Sequence, residues 1–339
     1  MNQVLDTLLG KLGLKYQNGI KKMGKDYYTH VSNISALPIE HQAFIESISP
    51  ELLKNADFVK SSGSQLTLIQ VEDIREHEPT LLKTLSLNKV TGETNERSFK
   101  KNPPIYHHVW MMFPSDTSLI DVKQSKLRSL WWKSQMGVNR VLSSKIGFRN
   151  FWDKWIQTLT PFEVTKNNQQ YSSENTSINK VKLPAGVALG KNLIKKGDVV
   201  VDYGCGKFSN SNEALTELGA LYIGFDPYNI SDTENLLAQI VLKHIGADLV
   251  ICSNVMNVIC EDEILENMAE SIVKGLKGYT SKAIITIYEG DKSGVGRTVN
   301  TKQYQRNLRT EAYKKIFEGK GARAERYQQS NAFIIQRGL

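Results

Sequence analysis

Two glycines and two carboxylates have the types and spacing expected of a ligand-binding site. In the segment VVVDYGCG, an apolar strand ends at Asp202, and Gly204 and Gly206 then permit a tight turn into a helix. About twenty residues later a second strand, in LYIGFDPYN, ends at Asp226. Backbone can approach a ligand closely at such glycines, and the second carboxylate is suited to accept hydrogen bonds from two ribose hydroxyls. The pattern predicts a crevice that binds a nucleoside.

A third segment, ADLVICSNVMNVI at residues 247–259, contains another apolar strand followed by polar side chains. Ser253, Asn254 and Asn257 follow this strand, at the edge where open α/β sheets bind their ligands. Dinucleotide oxidoreductases carry a third glycine, which would fall near Ser209, but this chain has none there. The sequence therefore favours a nucleoside site of another kind.

The sequence VVVDYGCGKF followed by YIGFDP resembles the first two motifs of the class I S-adenosylmethionine-dependent methyltransferases. ADLVICSNVMNVI resembles the fourth strand of that family and the loop that reaches the transferable methyl group. The resemblance implies S-adenosyl-L-methionine as cofactor, with the glycine loop facing its methionine part and Asp226 holding its ribose. The cofactor-binding residues implied are Asp202, Tyr203, Gly204, Cys205, Gly206, Asp226, Pro227 and Ser253. Asn254 and Asn257 are the candidate catalytic residues, on the substrate side.

A less specific resemblance concerns the acceptor. SINKVKLPAG, DYGCG, DP and NVI together resemble methyltransferases of bacterial and phage DNA-modification systems, including phosphorothioation clusters. This resemblance covers only the C-terminal half, and one fold serves many methyl acceptors. The sulfonium is already a good leaving group, so methyl transfer needs mainly the alignment of donor and acceptor. The absence of an obvious catalytic triad is therefore compatible with methyl transfer.

The elements around these motifs predict an α/β fold for the C-terminal half. After a polar stretch at 165–177, strands and helices alternate, which is typical of a parallel sheet covered by helices. We expect a Rossmann-like class I methyltransferase domain, a mostly parallel sheet with helices on both faces, over residues 171–339. Its strands are predicted at 198–202, 221–225, 248–252, 282–287 and 332–335, and its helices at 185–194, 209–218, 236–245, 261–276 and 301–317.

The remaining chain is predicted to be a mixed α+β region. Residues 1–95 contain a helix candidate at 40–54 and a strand candidate at 65–71, with no recognisable chemistry. Residues 96–170 form a basic, tryptophan-rich segment with helix candidates at 123–141 and 148–159. Substrate recognition is one function that this segment could supply.

Composition bears on location and partners. The 339 residues include 43 Lys and Arg against 35 Asp and Glu, a net charge of +8, which favours polyanionic partners such as DNA or RNA. No apolar run approaches the roughly eighteen residues of a membrane span. The 3 cysteines lack the spacing of metal ligands. We expect a cytoplasmic protein with neither membrane nor metal partner; its oligomeric state stays open.

Four residues in basic flanks are candidates for substrate binding: Arg128, Trp131, Arg297 and Arg306. Aromatic faces beside cations suit unpaired or flipped nucleotides. The tryptophans equally suit the core of a small helical subdomain with a solvated basic face, and both interpretations stay open.

Several smaller motifs have a structural explanation beside a chemical one. The NPPI of residues 102–105 is similar to the Asn-Pro-Pro-aromatic motif of amino-directed DNA methyltransferases, but the polar 96–101 before it favours a rigid turn. His107 and His108 are adjacent on a predicted strand and point to opposite faces. Cys260 lacks the preceding proline of cytosine C5 methyltransferases. The glycines of 289–297 suit a mobile lid or a surface loop.

Three functions follow from these observations. The first is a methyltransferase acting on a nucleic acid or nucleotide-like acceptor. The second is a methyltransferase for a small molecule or a protein. The third is a non-catalytic, DNA-associated binding protein on the same fold, against which the intact glycine loop and Asp226 argue.

Overall fold

The chain forms two compact units, residues 2–162 and 163–339, here called the N-terminal and C-terminal units. The computed structural model describes residues 2–13, 16–17, 19–106, 112, 114, 116–117, 119–136, 147–172, 180–327 and 330–338. The strand Thr94–Ser98 crosses the boundary expected after residue 95, and the second unit begins before residue 171. His107, His108 and most of the predicted strand 105–113 lie outside the described residues.

The N-terminal unit contains a seven-stranded antiparallel sheet in which the strands follow sequence order. Its strands are β1 (Tyr16–Gln17), β2 (Ile20–Met23), β3 (Asp26–His30), β4 (Phe58–Ser61), β5 (Gln65–Val71), β6 (Leu81–Asn88) and β7 (Thr94–Ser98). The structure confirms the predicted strand at 65–71, where Leu66 and Leu68 alternate with less buried neighbours and pack against Val59.

The described part of this unit also contains the helices α1 (Asn2–Lys11), α2 (Ile39–Glu46), α3 (Pro50–Lys54), α4 (Leu119–Met136) and α5 (Arg149–Ile156). The single helix predicted at 40–54 is two helices, because Ser49 caps the second by accepting from the backbone N–H of Glu51 at 3.3 Å. Pro50 follows at the first helical position, where its missing N–H costs nothing.

The C-terminal unit is built on a six-stranded sheet of order β14-β15-β11-β10-β8-β9. The strands are β8 (Val199–Tyr203), β9 (Leu221–Phe225), β10 (Leu249–Ser253), β11 (Lys282–Thr286), β14 (Ala322–Arg326) and β15 (Ala332–Arg337). Strands β8 to β11 are parallel, and β15 is antiparallel to both of its neighbours. The mostly parallel sheet is thus confirmed.

Helices cover both faces of this sheet: α6 (Ala185–Gly190), α7 (Asn210–Glu217), α8 (Asp232–Ile240), α9 (Asp262–Gly275) and α10 (Thr310–Gly319). On one face Val200 and Ile251 pack with Val187 of α6 and Leu215 of α7. All five residues of β8 are buried, although successive side chains of a strand point to opposite faces of the sheet. The second layer of helices therefore covers the opposite face.

The helix predicted at 301–317 is wrong in its first half. A hairpin of β12 (Arg297–Asn300) and β13 (Gln303–Gln305) occupies that region. Asn307 has a positive φ of 57°, which interrupts a helix. The helix begins at Thr310, whose backbone N–H donates to the Glu289 carboxylate at 2.7 Å. A side chain distant in sequence therefore sets this helix start.

The strand order places a crevice at one edge of the sheet. The chain moves from β8 outward to β9 and then returns past β8 to β10. Such a reversal leaves a gap at the carboxyl ends of the two central strands, where open α/β sheets bind ligands. Within the described ranges, no helix is both long and apolar enough to cross a membrane.

Candidate functional site

A cavity of about 600 Å³ opens at the carboxyl ends of β8, β9 and β10. It brings together every predicted residue of the cofactor and catalytic sets: Asp202, Tyr203, Gly204, Cys205, Gly206, Asp226, Pro227, Ser253, Asn254 and Asn257. Residues that the sequence did not indicate also line it, among them Asn229, Tyr288 and Gln305. The predicted site is therefore one continuous surface within the C-terminal unit.

The glycine loop after β8 has a backbone shape that side chains would prevent. Gly204 and Gly206 have φ values of 83° and 69°. A Cβ on Gly204 would overlap Cγ2 of Val255, in the loop after β10. The backbone N–H groups of Gly204 and Cys205 both donate to the carbonyl of Phe225, at 2.7 and 3.2 Å. The loop is thus fixed between its two neighbouring strands.

Asp226 is held rigidly at the cavity wall and is 8% exposed. Its backbone N–H donates to Oδ1 of Asn235 at 2.8 Å, and its carbonyl accepts from Nδ2 of the same residue at 3.0 Å. Its carboxylate accepts from the backbone of Gly206 at 3.0 Å and from that of Tyr228 at 3.0 Å. The two loops that form the predicted nucleoside site are therefore joined through this carboxylate.

Asp202 is a buried carboxyl group beside the glycine loop. Only 1% of its surface is exposed, and the hydroxyl of Tyr222 donates to its Oδ2 at 3.3 Å. Burial, with a smaller contribution from the nearby charge of Asp226, raises the pKa of Asp202 to about 7, although the hydrogen bond from Tyr222 lowers it in part. A cationic ligand in this cavity would favour the ionised form. Burial also raises the pKa of the Cys205 thiol, which argues against reactivity there.

The loop after β10 forms another part of the cavity wall. Oγ of Ser253 accepts from the backbone N–H of Gly186 at 3.0 Å and lies 3.1 Å from Oγ1 of Thr286. Asn254 has a φ of 57°, and its backbone N–H donates to the Thr286 carbonyl at 2.9 Å. This strained residue turns the chain away from the sheet, so its side chain is exposed in the cavity.

A chain of amides orients Asn257, which is 2% exposed. Nε2 of Gln305 donates to the carbonyl of Tyr288 at 3.0 Å, and Nδ2 of Asn257 donates to Oε1 of Gln305 at 3.1 Å. Because a carbonyl can only accept, the Tyr288 carbonyl fixes which way both amides face. Within the described residues, Oδ1 of Asn257 has no hydrogen-bond partner. Sequence analysis missed Gln305 because it fell inside a predicted helix.

The described part of the polar stretch at 165–177, residues 165–172, borders the cavity. Thr165 exchanges two backbone hydrogen bonds with the side chain of Gln239, at 3.0 and 2.7 Å. The backbone N–H of Gln170 donates to the Glu261 carboxylate at 2.6 Å. Residues of 165–172 line the cavity, so this segment belongs to its wall.

The two C-terminal arginines differ in environment. Arg306 is largely buried and donates to the carbonyls of Ile259 and Cys260 at 2.6 and 2.7 Å, and to the carboxylate of Asp262 at 2.6 Å. Through its Nε and Nη2 atoms it fixes the loop after β10, which gives Arg306 a structural role, and its predicted role in substrate binding stays a prediction. Arg297 is exposed on β12, and its predicted role stays a prediction.

Trp131 and Arg128 belong to the interior of the N-terminal unit. Trp131 is 3% exposed and donates its indole N–H to the Thr160 carbonyl at 2.6 Å. Arg128 donates to both carboxylate oxygens of Glu78, at 2.7 and 3.1 Å, and lies 4.7 Å from the Trp131 ring centroid. The prediction that these two residues bind substrate is wrong, because packing occupies the ring and pairing occupies the guanidinium.

The smaller motifs also have structural roles. Asn102 has a φ of 45°, and its Oδ1 accepts from the backbone N–H of Asn150 at 2.9 Å. Pro104 and Ile105 form isolated β-bridges to Phe148 and Thr80, so 102–105 holds neighbouring segments together. In the region 289–297 the backbone N–H of Gly294 donates to the Asn307 carbonyl at 3.0 Å. That region is therefore an organised turn leading into β12.

Three solved methyltransferase structures are similar to this chain. A TehB-like SAM-dependent methyltransferase from Corynebacterium glutamicum is 16% identical, with a TM-score of 0.32 over 46% of this chain and 89% of that protein. A 1,6-didemethyltoxoflavin-N1-methyltransferase from Burkholderia thailandensis, solved with its substrate and S-adenosylhomocysteine, is 13% identical, with a TM-score of 0.38 over 50% and 85%. Phosphoethanolamine N-methyltransferase 2 from Haemonchus contortus, solved with S-adenosyl-L-methionine, is 13% identical, with a TM-score of 0.32 over 92% and 76%.

No protein-family model and no curated protein matches this sequence. The TM-scores of the solved structures are low, so we base the function on the geometry of the cavity. That geometry defines a doubly wound α/β unit with a cavity of about 600 Å³ at its switch point.

Proposed function

We infer that the C-terminal unit binds S-adenosyl-L-methionine in this cavity and transfers its methyl group to an acceptor. The observation that supports this most is the hydrogen bond between the Gly206 N–H and Asp226, which joins the glycine loop to the carboxylate after β9 at 3.0 Å. The pair lies at the switch point of the sheet, where such folds bind ligands.

The residues of the cavity fit this cofactor. The Asp226 carboxylate lines the cavity and suits the ribose hydroxyls, and the glycine loop lines it where backbone can approach the amino-acid part. Asp202, a carboxyl group near its pKa at neutral pH, suits the positive charges of the cofactor. When bound, the cofactor supplies an activated methyl group on a sulfonium. The task of the protein is then to hold the acceptor in line and exclude water.

The acceptor side of the cavity indicates the kind of group that is methylated. Oδ1 of Asn257 is a buried hydrogen-bond acceptor that has no partner among the residues that the structure describes, and Gln305 orients it. A buried unpaired acceptor is costly, so a ligand that donates an N–H or O–H there is favoured. We expect an amine, amide or hydroxyl acceptor, held by Asn257 with Asn254 and Tyr288 nearby. A hydrogen bond to Oδ1 of Asn257 would orient the lone pair of the acceptor atom toward the methyl group, and no strong base is required.

A binding experiment tests the cofactor site. Asp226→Ala should weaken S-adenosylhomocysteine binding by at least about tenfold in calorimetry, because hydrogen bonds to a charged group are lost. Asp291→Ala, which removes an exposed carboxylate in the turn after Glu289, is the matched control and should bind like the wild type. Circular dichroism checks that both variants fold. Unchanged affinity in Asp226→Ala would refute the ribose assignment.

For the acceptor, we retain a nucleic acid or nucleotide-like molecule as the first candidate, supported by the net charge of +8. The burial of Trp131 and the pairing of Arg128 remove one support from it and favour the alternative, a small molecule or a protein. Transfer of labelled methyl to separate pools of DNA, RNA, protein and metabolites separates the two. DNA or RNA binding should also weaken steeply as salt rises. Absence of binding to the cofactor or its demethylated product at millimolar concentration would favour a non-catalytic protein.

A further inference from the structure

The carboxylate of Asp226 is fully occupied by hydrogen-bond donors of the protein itself. Its oxygens accept from the backbone N–H groups of Gly206, Tyr228 and Asn229, at 3.0, 3.0 and 3.1 Å. Nδ2 of Asn229 lies 3.0 Å from both oxygens. A carboxylate offers roughly four acceptor positions, so these five contacts leave none for a ligand.

The donors differ in how easily they can leave. The three backbone N–H groups are fixed by the glycine loop and by the turn after Asp226. The carboxylate cannot easily turn away, because Asn235 holds the backbone of Asp226 on both its N–H and its carbonyl. The Asn229 amide, in contrast, is carried on a rotatable side chain that lines the cavity and is only partly buried.

We propose that the Asn229 side chain is a stand-in for a ribose diol and must swing away when the nucleoside binds. This proposal rests on the proposed function. Two contacts leave with the amide, and two hydroxyls on neighbouring carbons can replace them, one on each carboxylate oxygen. A ligand with a single hydroxyl, or with none, cannot replace both of the hydrogen bonds that are lost when the amide moves. Asn229 therefore makes the site selective for an intact diol and keeps the buried carboxylate paired before the ligand arrives.

Two ligands and two variants test the stand-in. Adenosine carries the diol, and 2′,3′-dideoxyadenosine lacks it; ligand-observed NMR titration measures both dissociation constants. In Asn229→Ala the intramolecular competitor is gone, so adenosine should bind up to about tenfold more tightly than to the wild type. Dideoxyadenosine, which has no need to displace the amide, should bind equally to both proteins. Asn212→Ala removes an exposed asparagine of α7, away from the cavity, and should change neither constant.

The outcomes are distinguishable. Equal or weaker binding of adenosine to Asn229→Ala would overturn the stand-in, as would an equal gain for both ligands, which would mean only that the cavity had widened. If the wild type binds neither adenosine nor S-adenosylhomocysteine, the proposed function fails and the stand-in with it. If it binds both, the comparison of the two variants decides the role of Asn229 alone.

Discussion

Replacing Asp202 by asparagine should change how the stability of the protein depends on pH. Burial raises the pKa of Asp202 from its usual value of 3.8 to about 7. Between these two values the folded protein holds a proton that the unfolded chain releases, so stability falls as pH rises through this window. Asparagine has nearly the same shape and no charge, and its Oδ1 still accepts from the Tyr222 hydroxyl. The variant should therefore lose this part of the pH dependence.

The magnitude follows from the width of the window. Each pH unit between the two pKa values contributes about 1.4 kcal/mol, so raising the pH from 5 to 8 removes about 3 kcal/mol from the wild type. Groups other than Asp202 titrate in both proteins and cancel in the difference. The stability of Asp202→Asn relative to the wild type should thus increase by about 3 kcal/mol from pH 5 to pH 8.

Urea unfolding followed by circular dichroism, at pH 5, 6, 7 and 8, measures this difference. The slope of the unfolding free energy against urea should be the same in both proteins, which checks that the unfolded states are comparable. A difference between the two proteins that stays constant over the four pH values would refute the reasoning. It would mean that Asp202 is ionised throughout and that its burial is compensated.

Two further predictions concern the same cavity. Ionised Asp202 favours a cation, and S-adenosyl-L-methionine carries a sulfonium charge that S-adenosylhomocysteine lacks. The ratio of the two affinities, measured by calorimetry, should therefore shift toward S-adenosyl-L-methionine from pH 6 to pH 8. A ratio that stays constant would contradict this. Gly204→Ala should lower the free energy of unfolding by about 1 to 3 kcal/mol, because its Cβ overlaps Val255 at a positive φ. Val255→Ala in the same chain should restore part of that loss, and additive losses would argue against the overlap.

The residues that the sequence predicted for the cofactor site line one cavity, because their signals are local. Strand β9 was predicted at its observed bounds, since a short apolar run ends at Asp226. Because the predicted carboxylates and glycines end or follow these apolar runs in sequence, they lie at the ends of the strands. The topology of parallel strands brings these ends together without further information.

The acceptor side depends on contacts between distant parts of the chain, which no local pattern shows. Gln305 fell in a predicted helix because its neighbours favour helix, yet Glu289 sets the helix start at Thr310. Asn229 and Asn235 contact Asp226 from the turn and helix that follow it, but their residue types alone carry no signal of this. Strand β7 is exposed along its whole length and has no apolar alternation by which it could be recognised.

The amide chain from Tyr288 through Gln305 to Asn257 separates two tasks along the sequence. Apart from Ser253, the residues proposed to hold the cofactor lie within 202–229, whereas the orientation of Asn257 is set from 288–307, a segment that leaves β11 and ends before α10. Residues 288–307 could be replaced as one segment while residues 202–229 stay unchanged. The acceptor preference of this protein could thus be redesigned, or diversify in nature, at little cost to cofactor binding.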